Sequence, residues 1–156
     1  MTEQLDRFHW AQDDAEVGFA SALKELQTTG KRGHWIWYIF PQLAGLGMSS
    51  QAKRYGIQGR EEAIAYLRDP VLGSRLLVAT SAVARRLQDG LSLEQLMGSS
   101  LDAWKMVSSL TLFEAVSRSV ASEHALQFLD LAREVLATAE MQGYNRCSRT
   151  LRLVQS

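Results

Sequence analysis

The chain is 156 residues long, is 46% hydrophobic and carries 17 Lys and Arg against 17 Asp and Glu residues; this fits one globular domain over residues 1–156 whose core needs no metal or disulfide. The zero net charge argues against binding to nucleic acid or an anionic membrane, and no apolar run approaches the roughly 20 residues of a bilayer span. One cysteine excludes an internal disulfide, and the acidic first residues lack the pattern of a signal peptide, so we expect a cytoplasmic protein.

Apolar residues recur at intervals of three or four in the first half of the chain, the pattern of helices with one buried face. The first predicted helix covers residues 5–26 and ends before Gly30. Gly and Ser residues interrupt residues 44–59, which are expected to be the most irregular part of the chain. Glu61 and Glu62 are interpreted as the charged first turn of a helix that runs to Leu67.

The second half of the chain contains clear helix start signals. Asp69 is a predicted N-cap with Pro70 in the first turn of a helix that ends at residues 89–90. Ser92 and Gln95 have the spacing of a capping box before a short helical turn. Further helices are predicted over residues 101–120 and after Ser122.

No segment alternates apolar and polar residues convincingly, so a β-sheet has little support. We therefore predict an all-α fold: a compact, single-domain helical bundle of about five to seven helices with short connections.

Residues 31–42, here called the aromatic segment, concentrate aromatic and polar side chains. If helical, this segment is apolar on all sides between Gly33 and Pro41 and must be buried. The indole N–H groups of Trp35 and Trp37, together with His34 and Gln42, then need hydrogen-bond partners. The segment is therefore either core with a satisfied polar network or the wall of a pocket, and the sequence leaves both interpretations open.

Residues 102–113 form a second group of interest. On a helix, Lys105, Ser108 and Ser109 share one face, and Asp102 lies one turn earlier. An ammonium beside two hydroxyls would suit an anion or a ribose-like group. The alternative is a surface pair of Asp102 and Lys105, with serines that bond to the preceding turn.

The aromatic segment and its surroundings resemble a bacterial family known as domain of unknown function 1810, whose members are sometimes labelled calpastatin-like. The resemblance covers nearly the whole chain, and its most specific part is the string His34-Trp35-x-Trp37-x-Ile39-Phe40-Pro41-Gln42. Other matching residues include Arg7, Phe8, Lys31, Tyr55, Gly56, Glu62, Pro70, Asp102, Lys105, Ser108, Ser109 and Phe113. The resemblance implies a compact all-α domain, places a candidate pocket at the two groups of residues, and implies no activity.

This chain departs from the family pattern at two places. Family members usually close with Arg-Asp-Pro-x-Thr-Leu, whereas Cys147 and Ser148 replace the Asp-Pro pair here. Trp104 and Val107 stand where the pattern more often has leucine and a basic residue, which makes this face more apolar.

The first functional hypothesis is a small-molecule pocket between residues 34–42 and residues 102–113, taking a nucleotide-like or anionic aromatic ligand. The predicted ligand-binding residues are Lys31, Trp35, Trp37, Gln42, Tyr55, Lys105, Ser108 and Ser109. If the protein is an enzyme, for example a hydrolase, His34 would be its general acid or base because it titrates near neutrality. No cofactor and no metal site is predicted, since the three histidines lack metal-ligand spacing.

The alternative hypothesis is a protein-interaction domain without catalysis, in which the same residues form the core. A homodimer is compatible with this hypothesis.

Overall fold

The computed structural model describes the backbone of residues 2–155 and the side chains of residues 4–155, and it confirms the all-α fold. The described residues form ten helices: α1 (Thr2–Gln12), α2 (Phe19–Gln27), α3 (Ile36–Ile39), α4 (Ser50–Tyr55), α5 (Arg60–Arg68), α6 (Pro70–Gln88), α7 (Leu93–Met97), α8 (Ser100–Ser117), α9 (Glu123–Met141) and α10 (Ser148–Gln155).

Ten helices exceed the predicted five to seven, and the excess comes from short elements. α3 and α4 have only four and six residues, too few for a repeated apolar pattern, whereas the equally short α7 follows from its capping box. The remaining seven helices are longer. The aromatic segment contributes only the single turn of α3, so the continuous helix considered from its composition does not form.

The single helix predicted over residues 5–26 is wrong, because the chain turns between α1 and α2. The Asp14 carboxylate accepts hydrogen bonds from the backbone N–H groups of Glu16 (2.8 Å) and Val17 (2.9 Å) and so stabilises a turn. Gly18 closes this turn: a Cβ there would lie 2.3 Å from the carbonyl oxygens of Gln12 and Asp14. The intervals of three or four between apolar residues continue across this break, so the sequence pattern does not reveal it.

The predicted helix starts in the second half of the chain are confirmed. The Asp69 carboxylate accepts from the N–H groups of Val71 and Leu72 at the start of α6. Ser92 and Gln95 form the expected reciprocal capping box on α7. The Ser122 hydroxyl caps α9.

Helix α8 occupies the centre of the fold. It packs against α5, α7, α9 and α10, and most of its residues are buried, including Met106, Leu110 and Phe113. The long helices α6 and α9 pack against each other beside it. One end of α8 remains partly exposed, at Leu101 and Trp104. This exposed end faces the chain that follows α3.

Two contacts hold the chain between α3 and α5 in place. An isolated parallel bridge joins Leu43 to Ile57, with the Ile57 N–H donating to the Gln42 carbonyl oxygen at 2.8 Å. The guanidinium of Arg7 donates to the Glu62 carboxylate (2.7 Å) and to the Gly56 carbonyl oxygen (2.9 Å). Glu62 is thus a buried structural partner as well as a first-turn carboxylate. None of the helices in residues 2–155 combines the length and the apolar character that crossing a membrane requires.

Candidate functional site

A cavity of about 500 Å³ lies between the aromatic segment and the N-terminal half of α8. Trp37 and Gln42 contribute one wall, and Lys105 and Ser108 lie on the wall provided by α8. The fold therefore brings together four of the residues that the sequence singled out from two distant parts of the chain. The N-terminus of α10 and the loop before α4 complete the cavity.

Three large apolar side chains line the cavity and are exposed at its mouth. Met48, in the loop before α4, is 84% exposed, and Leu101 and Trp104 on α8 are 63% and 43% exposed. Trp104 also contacts Tyr144 edge to face, with ring centroids 4.9 Å apart. The cavity therefore has three solvent-exposed apolar side chains along its lining.

Lys105 is the principal charged group on the α8 wall. Its Nζ lies 4.8 Å from the centroid of the Trp37 ring, a cation–π distance. Its nearest carboxylate oxygen is Oδ1 of Asp102 at 3.7 Å, which is beyond hydrogen-bond length. Lys105 makes no hydrogen bond with the described residues. Its ammonium group therefore retains donors that can reach a ligand.

Asp102 pairs more closely with the other predicted cation, Lys31. The Lys31 ammonium lies 2.6 Å from Oδ2 of Asp102 and also donates to the Gly33 carbonyl oxygen at 2.7 Å. The Lys31 side chain is only 6% exposed and does not line the cavity. Lys31 therefore lies behind the charged wall and does not contact the cavity itself.

The backbone around Lys31 is fixed by the turn after α7. The Lys31 N–H donates to the Leu96 carbonyl oxygen at 2.7 Å. Gly98 ends α7 with φ +86°, and a Cβ there would lie 2.9 Å from the Lys31 carbonyl oxygen. Because the left-handed backbone and the close approach both favour glycine, Gly98 lets the Lys31 backbone lie against the end of α7.

Trp35 lies in the core, 1% exposed, and does not reach the cavity. Its indole N–H donates to Oε1 of Glu25 at 2.8 Å, and the same oxygen accepts from the N–H groups of Arg32 and Gly33. Burial disfavours the Glu25 carboxylate, but these three hydrogen bonds and the charge of Lys31 outweigh that effect and lower the pKa of Glu25. This burial excludes Trp35 as a stacking surface for a ligand.

Trp37, two residues later, lies in a different environment. Its Nε1 is buried and has no hydrogen-bond partner among the described residues. The side-chain amide of Gln42 makes no hydrogen bond with them either. Both residues also border a small cavity of about 10 Å³ that Tyr55 lines as well, although Tyr55 is largely buried in the core. Tyr55 therefore does not line the main cavity, although it shares the small one with Trp37 and Gln42.

His34 and Ser109 are not in the cavity. His34 is exposed, and its ring makes no hydrogen bond or ion pair with the described residues. Ser109 is fully buried in α8, and its hydroxyl has no partner in the described part of the chain. A catalytic role for His34 at this cavity therefore has no geometric basis. Within residues 4–155, no group of three His, Cys, Asp or Glu side chains forms a possible metal site.

The N-terminus of α10 contributes two cavity residues that the sequence did not assign, Cys147 and Arg149. Arg149 is exposed and pairs with no acidic group among the described residues. Burial opposes ionisation of the Cys147 thiol, but hydrogen bonds from the Thr150 hydroxyl (3.1 Å), from nearby N–H groups and from Ser108 outweigh it and lower the pKa of Cys147. Ser108 and Thr150 hydroxyl oxygens lie 3.3 Å apart.

These additional cavity residues carried few sequence signals. Cys147 was noted as a departure from the family pattern, and Trp104 as a second departure. Met48 was hidden in the Gly-rich stretch, and Arg149 belongs to a short helix that the apolar pattern did not predict. The departures themselves are the signal that the sequence offers, and the structure shows that Trp104 and Cys147 line the same cavity.

A larger open groove of about 830 Å³ lies between α6 and α9. Its lining mixes both signs of charge, with Arg85 3.9 Å from Asp89 and with Asp130 on the opposite side. Arg86 already donates to the Gln27 carbonyl oxygen at 3.0 Å. The groove contains neither of the predicted segments and is a weaker candidate for a site.

Comparisons with known proteins agree with the resemblance seen in the sequence. The family model described as "Protein of unknown function (DUF1810)" matches residues 2–141. The crystal structure of the conserved hypothetical protein Rv1873 from Mycobacterium tuberculosis is similar, with a TM-score of 0.75 and 36% sequence identity. That match covers 100% of this chain and 99% of the other, so it includes the C-terminal segment beyond the family model. A search of curated proteins finds no match.

Proposed function

Because the chain belongs to the DUF1810 family of proteins of unknown function, its role must be inferred from its own side chains, and we propose that it binds a small, anionic aromatic molecule. The ligand occupies the cavity between the aromatic segment and α8. A nucleotide-like compound is one member of this ligand class. We propose binding alone and assign no catalytic residue.

The observation that carries the proposal is the lining of the cavity, which combines apolar surfaces with donors that make no hydrogen bond with the described residues. Its volume of about 500 Å³ falls within the range of small-molecule sites. Lys105, Arg149 and Gln42 present donor groups that make no hydrogen bond with the described residues. Groups of this kind are costly to leave without acceptors when water is displaced, so they favour a ligand rich in acceptor oxygens.

The apolar surfaces favour a planar ring as the other part of the ligand. Trp37 from the aromatic segment and Trp104 from α8 both line the cavity, together with the exposed side chains of Leu101 and Met48. Indole rings contact aromatic ligands by stacking or edge-to-face packing. A ring near the two tryptophans would place its anionic substituent toward Lys105.

Isothermal titration calorimetry with a set of simple probes tests this proposal. We expect phenyl phosphate and benzoate, which combine a ring with an anion, to bind more tightly than phenol. Lys105→Met weakens the binding of both anions by about tenfold, since hydrogen bonds to charged groups contribute about 1.5–3 kcal/mol.

Lys24→Met is the matched control, because Lys24 is an exposed lysine on α2 that lines none of these cavities. It should leave the affinity for all three probes unchanged. If none of the ring-bearing probes binds to the wild-type protein, the proposal is wrong. Equal weakening by Lys24→Met and Lys105→Met would also contradict it.

A protein-interaction role is the second candidate, and the apolar mouth of the cavity favours it. Met48, Leu101 and Trp104 are all exposed around one opening, as is common where another protein docks. Sedimentation of the wild-type protein and of Leu101→Ser over a range of concentrations tests for self-association through this surface. A concentration-dependent dimer that Leu101→Ser dissociates would support the second candidate over the first.

A further inference from the structure

We propose that Lys105 and Arg149 form an oxyanion subsite for a phosphate monoester, and that Lys31 is a positioning residue that keeps Lys105 free for this group. The inference rests on the proposed function and names the chemistry of the anionic part of the ligand.

Asp102 lies between two lysines and engages them unequally. Its Oδ2 is 2.6 Å from the Lys31 ammonium, whereas its Oδ1 is 3.7 Å from the Lys105 ammonium. The closer pair is also the more buried, since Lys31 is only 6% exposed. Burial strengthens the Coulomb attraction between paired charges, so Asp102 is neutralised chiefly by Lys31.

The unequal pairing leaves a positive charge on the cavity wall. Lys31, Asp102 and Lys105 together carry one net positive charge, and it is located at Lys105, the member of the group that lines the cavity. Arg149 adds a second positive charge from the start of α10. No acidic side chain is among the residues that line this cavity, so the charge here differs from the neutral balance of the whole chain.

The number of donors favours a phosphate over a carboxylate. An ammonium has three N–H donors and a guanidinium has five, and neither Lys105 nor Arg149 makes a hydrogen bond with the described residues. A carboxylate offers two oxygens and one negative charge. A phosphate monoester offers three terminal oxygens and up to two charges, which match two cations more fully.

The role of Lys31 follows from the same distances. Without the Lys31 ammonium, the Asp102 carboxylate has Lys105 as its nearest cationic partner on α8. A closer Asp102–Lys105 pair would occupy donors that the phosphate needs and would place a negative charge beside it. Lys31 therefore supports anion binding although it does not line the cavity.

Calorimetric titration of phenyl phosphate, benzoate and inorganic phosphate into four proteins tests the inference. The proteins are the wild type, Lys31→Met, Asp102→Asn and the Lys31→Met/Asp102→Asn double variant. We expect phenyl phosphate to bind the wild type about tenfold more tightly than benzoate, because the second charge engages Arg149. Inorganic phosphate should compete with phenyl phosphate, which distinguishes recognition of the phosphate from recognition of the ring.

The variants at Lys31 and Asp102 should bind differently if Lys31 positions Lys105 than if Lys31 is needed only for the fold. Lys31→Met should weaken phenyl phosphate about tenfold, and adding Asp102→Asn should restore the affinity. Asp102→Asn alone should retain or tighten binding, because it removes a negative charge near the ligand. This single variant keeps the inference testable if Lys31→Met fails to fold.

Three results would overturn the inference. The first is that the wild type binds benzoate and phenyl phosphate with equal affinity. The second is that Asp102→Asn binds phenyl phosphate more weakly than the wild type does. The third is that the double variant binds phenyl phosphate no more tightly than Lys31→Met does. Each leaves the proposed function intact as long as ring-bearing probes bind and respond to Lys105→Met. If no ring-bearing probe binds at all, both proposals fail together.

Discussion

Trp35 and Trp37 are two residues apart in the same segment, yet their indole groups are used differently. Trp35 is fully buried, and its N–H donates to Glu25, which also holds two backbone N–H groups of the preceding loop. Trp37 lines a cavity, and its buried N–H has no partner among the described residues. The first part of the aromatic segment, up to Trp35, has three N–H groups bonded to Glu25. In the second part, the indole N–H of Trp37 has no partner among the described residues.

The hydrogen bonds that stabilise the fold and the donors that remain available to a ligand belong to different residues of this region. Satisfied hydrogen bonds in the Lys31 to Trp35 loop contribute to the free energy of unfolding. Gln42 and Lys105 line the cavity and make no side-chain hydrogen bond with the described residues, so their donors remain available to another molecule. The buried Trp37 N–H has no partner among the described residues, so it adds nothing to the stability of the fold. Changes in the first group should therefore alter stability, and changes in the second should alter binding.

Replacing the core residue Trp35 and the partly exposed cavity residue Trp104 by alanine should give the largest contrast in stability. Trp35→Ala should lower the free energy of unfolding by about 3–5 kcal/mol, because it removes a large core side chain. Trp104→Ala should cost only about 1 kcal/mol, since Trp104 is partly exposed and loses mainly its edge-to-face contact with Tyr144. Urea unfolding measures both values, and similar losses would contradict the contrast.

Glu25→Gln should have an intermediate effect that depends on pH. The pKa of Glu25 lies below its ordinary value of 4.5, so its charge stabilises the fold fully above that value and loses its effect as the pH falls through the lowered pKa. At neutral pH we expect a loss of about 1–2 kcal/mol, which shrinks on acidification. Urea unfolding across this pH range should show the two proteins converging. A difference that stays constant with pH would refute the assigned role of the charge.

Trp37→Phe should change binding more than stability. The substitution removes the unpartnered N–H while keeping an aromatic ring, so the free energy of unfolding should change by less than about 1 kcal/mol. The affinity for phenyl phosphate should fall severalfold, because the smaller phenyl ring leaves less aromatic surface on the cavity wall. Calorimetry and urea unfolding of the same protein preparation measure the two effects. A large stability loss with unchanged affinity would reverse the comparison.

Met48→Ser should have the smallest effect on stability. Met48 is among the most exposed apolar residues, so the free energy of unfolding should stay within about 0.5 kcal/mol of the wild type. Ring-bearing probes should bind more weakly, because the mouth of the cavity loses apolar contact area. Met141→Ser is the matched control, since Met141 is equally exposed and lines none of these cavities.

The sequence predicted the fold class well because helix signals are local. Asp69, Ser92 and Ser122 each cap a helix through neighbours within three residues, so their roles are visible in the sequence. The break at Gly18 was missed because it depends on backbone approach, which apolar spacing does not record. Very short helices such as α3 are missed for a related reason: one turn contains too few residues to establish a period.

The site was only partly predictable, because its polar partners come from distant parts of the chain. The sequence indicated that the aromatic segment needs partners and left open whether it is core or pocket wall. Trp35 belongs to the core because Glu25, on a different helix, accepts a hydrogen bond from its indole N–H. Nothing in the sequence spacing of these two residues predicts that contact. Lys31 and Asp102 are likewise paired only by the tertiary fold.

The most direct test of the cavity as a ligand site is to follow the indole N–H signals of the four tryptophans by two-dimensional ¹H–¹⁵N NMR during titration with phenyl phosphate. Trp37 and Trp104 line the cavity, Trp35 is bonded to Glu25, and Trp10 is exposed at another place on the surface. We predict saturable shifts for Trp37 and Trp104, with Trp35 and Trp10 unchanged. If the signals of Trp37 and Trp104 stay in place, or move no more than that of Trp10, the cavity is not the binding site.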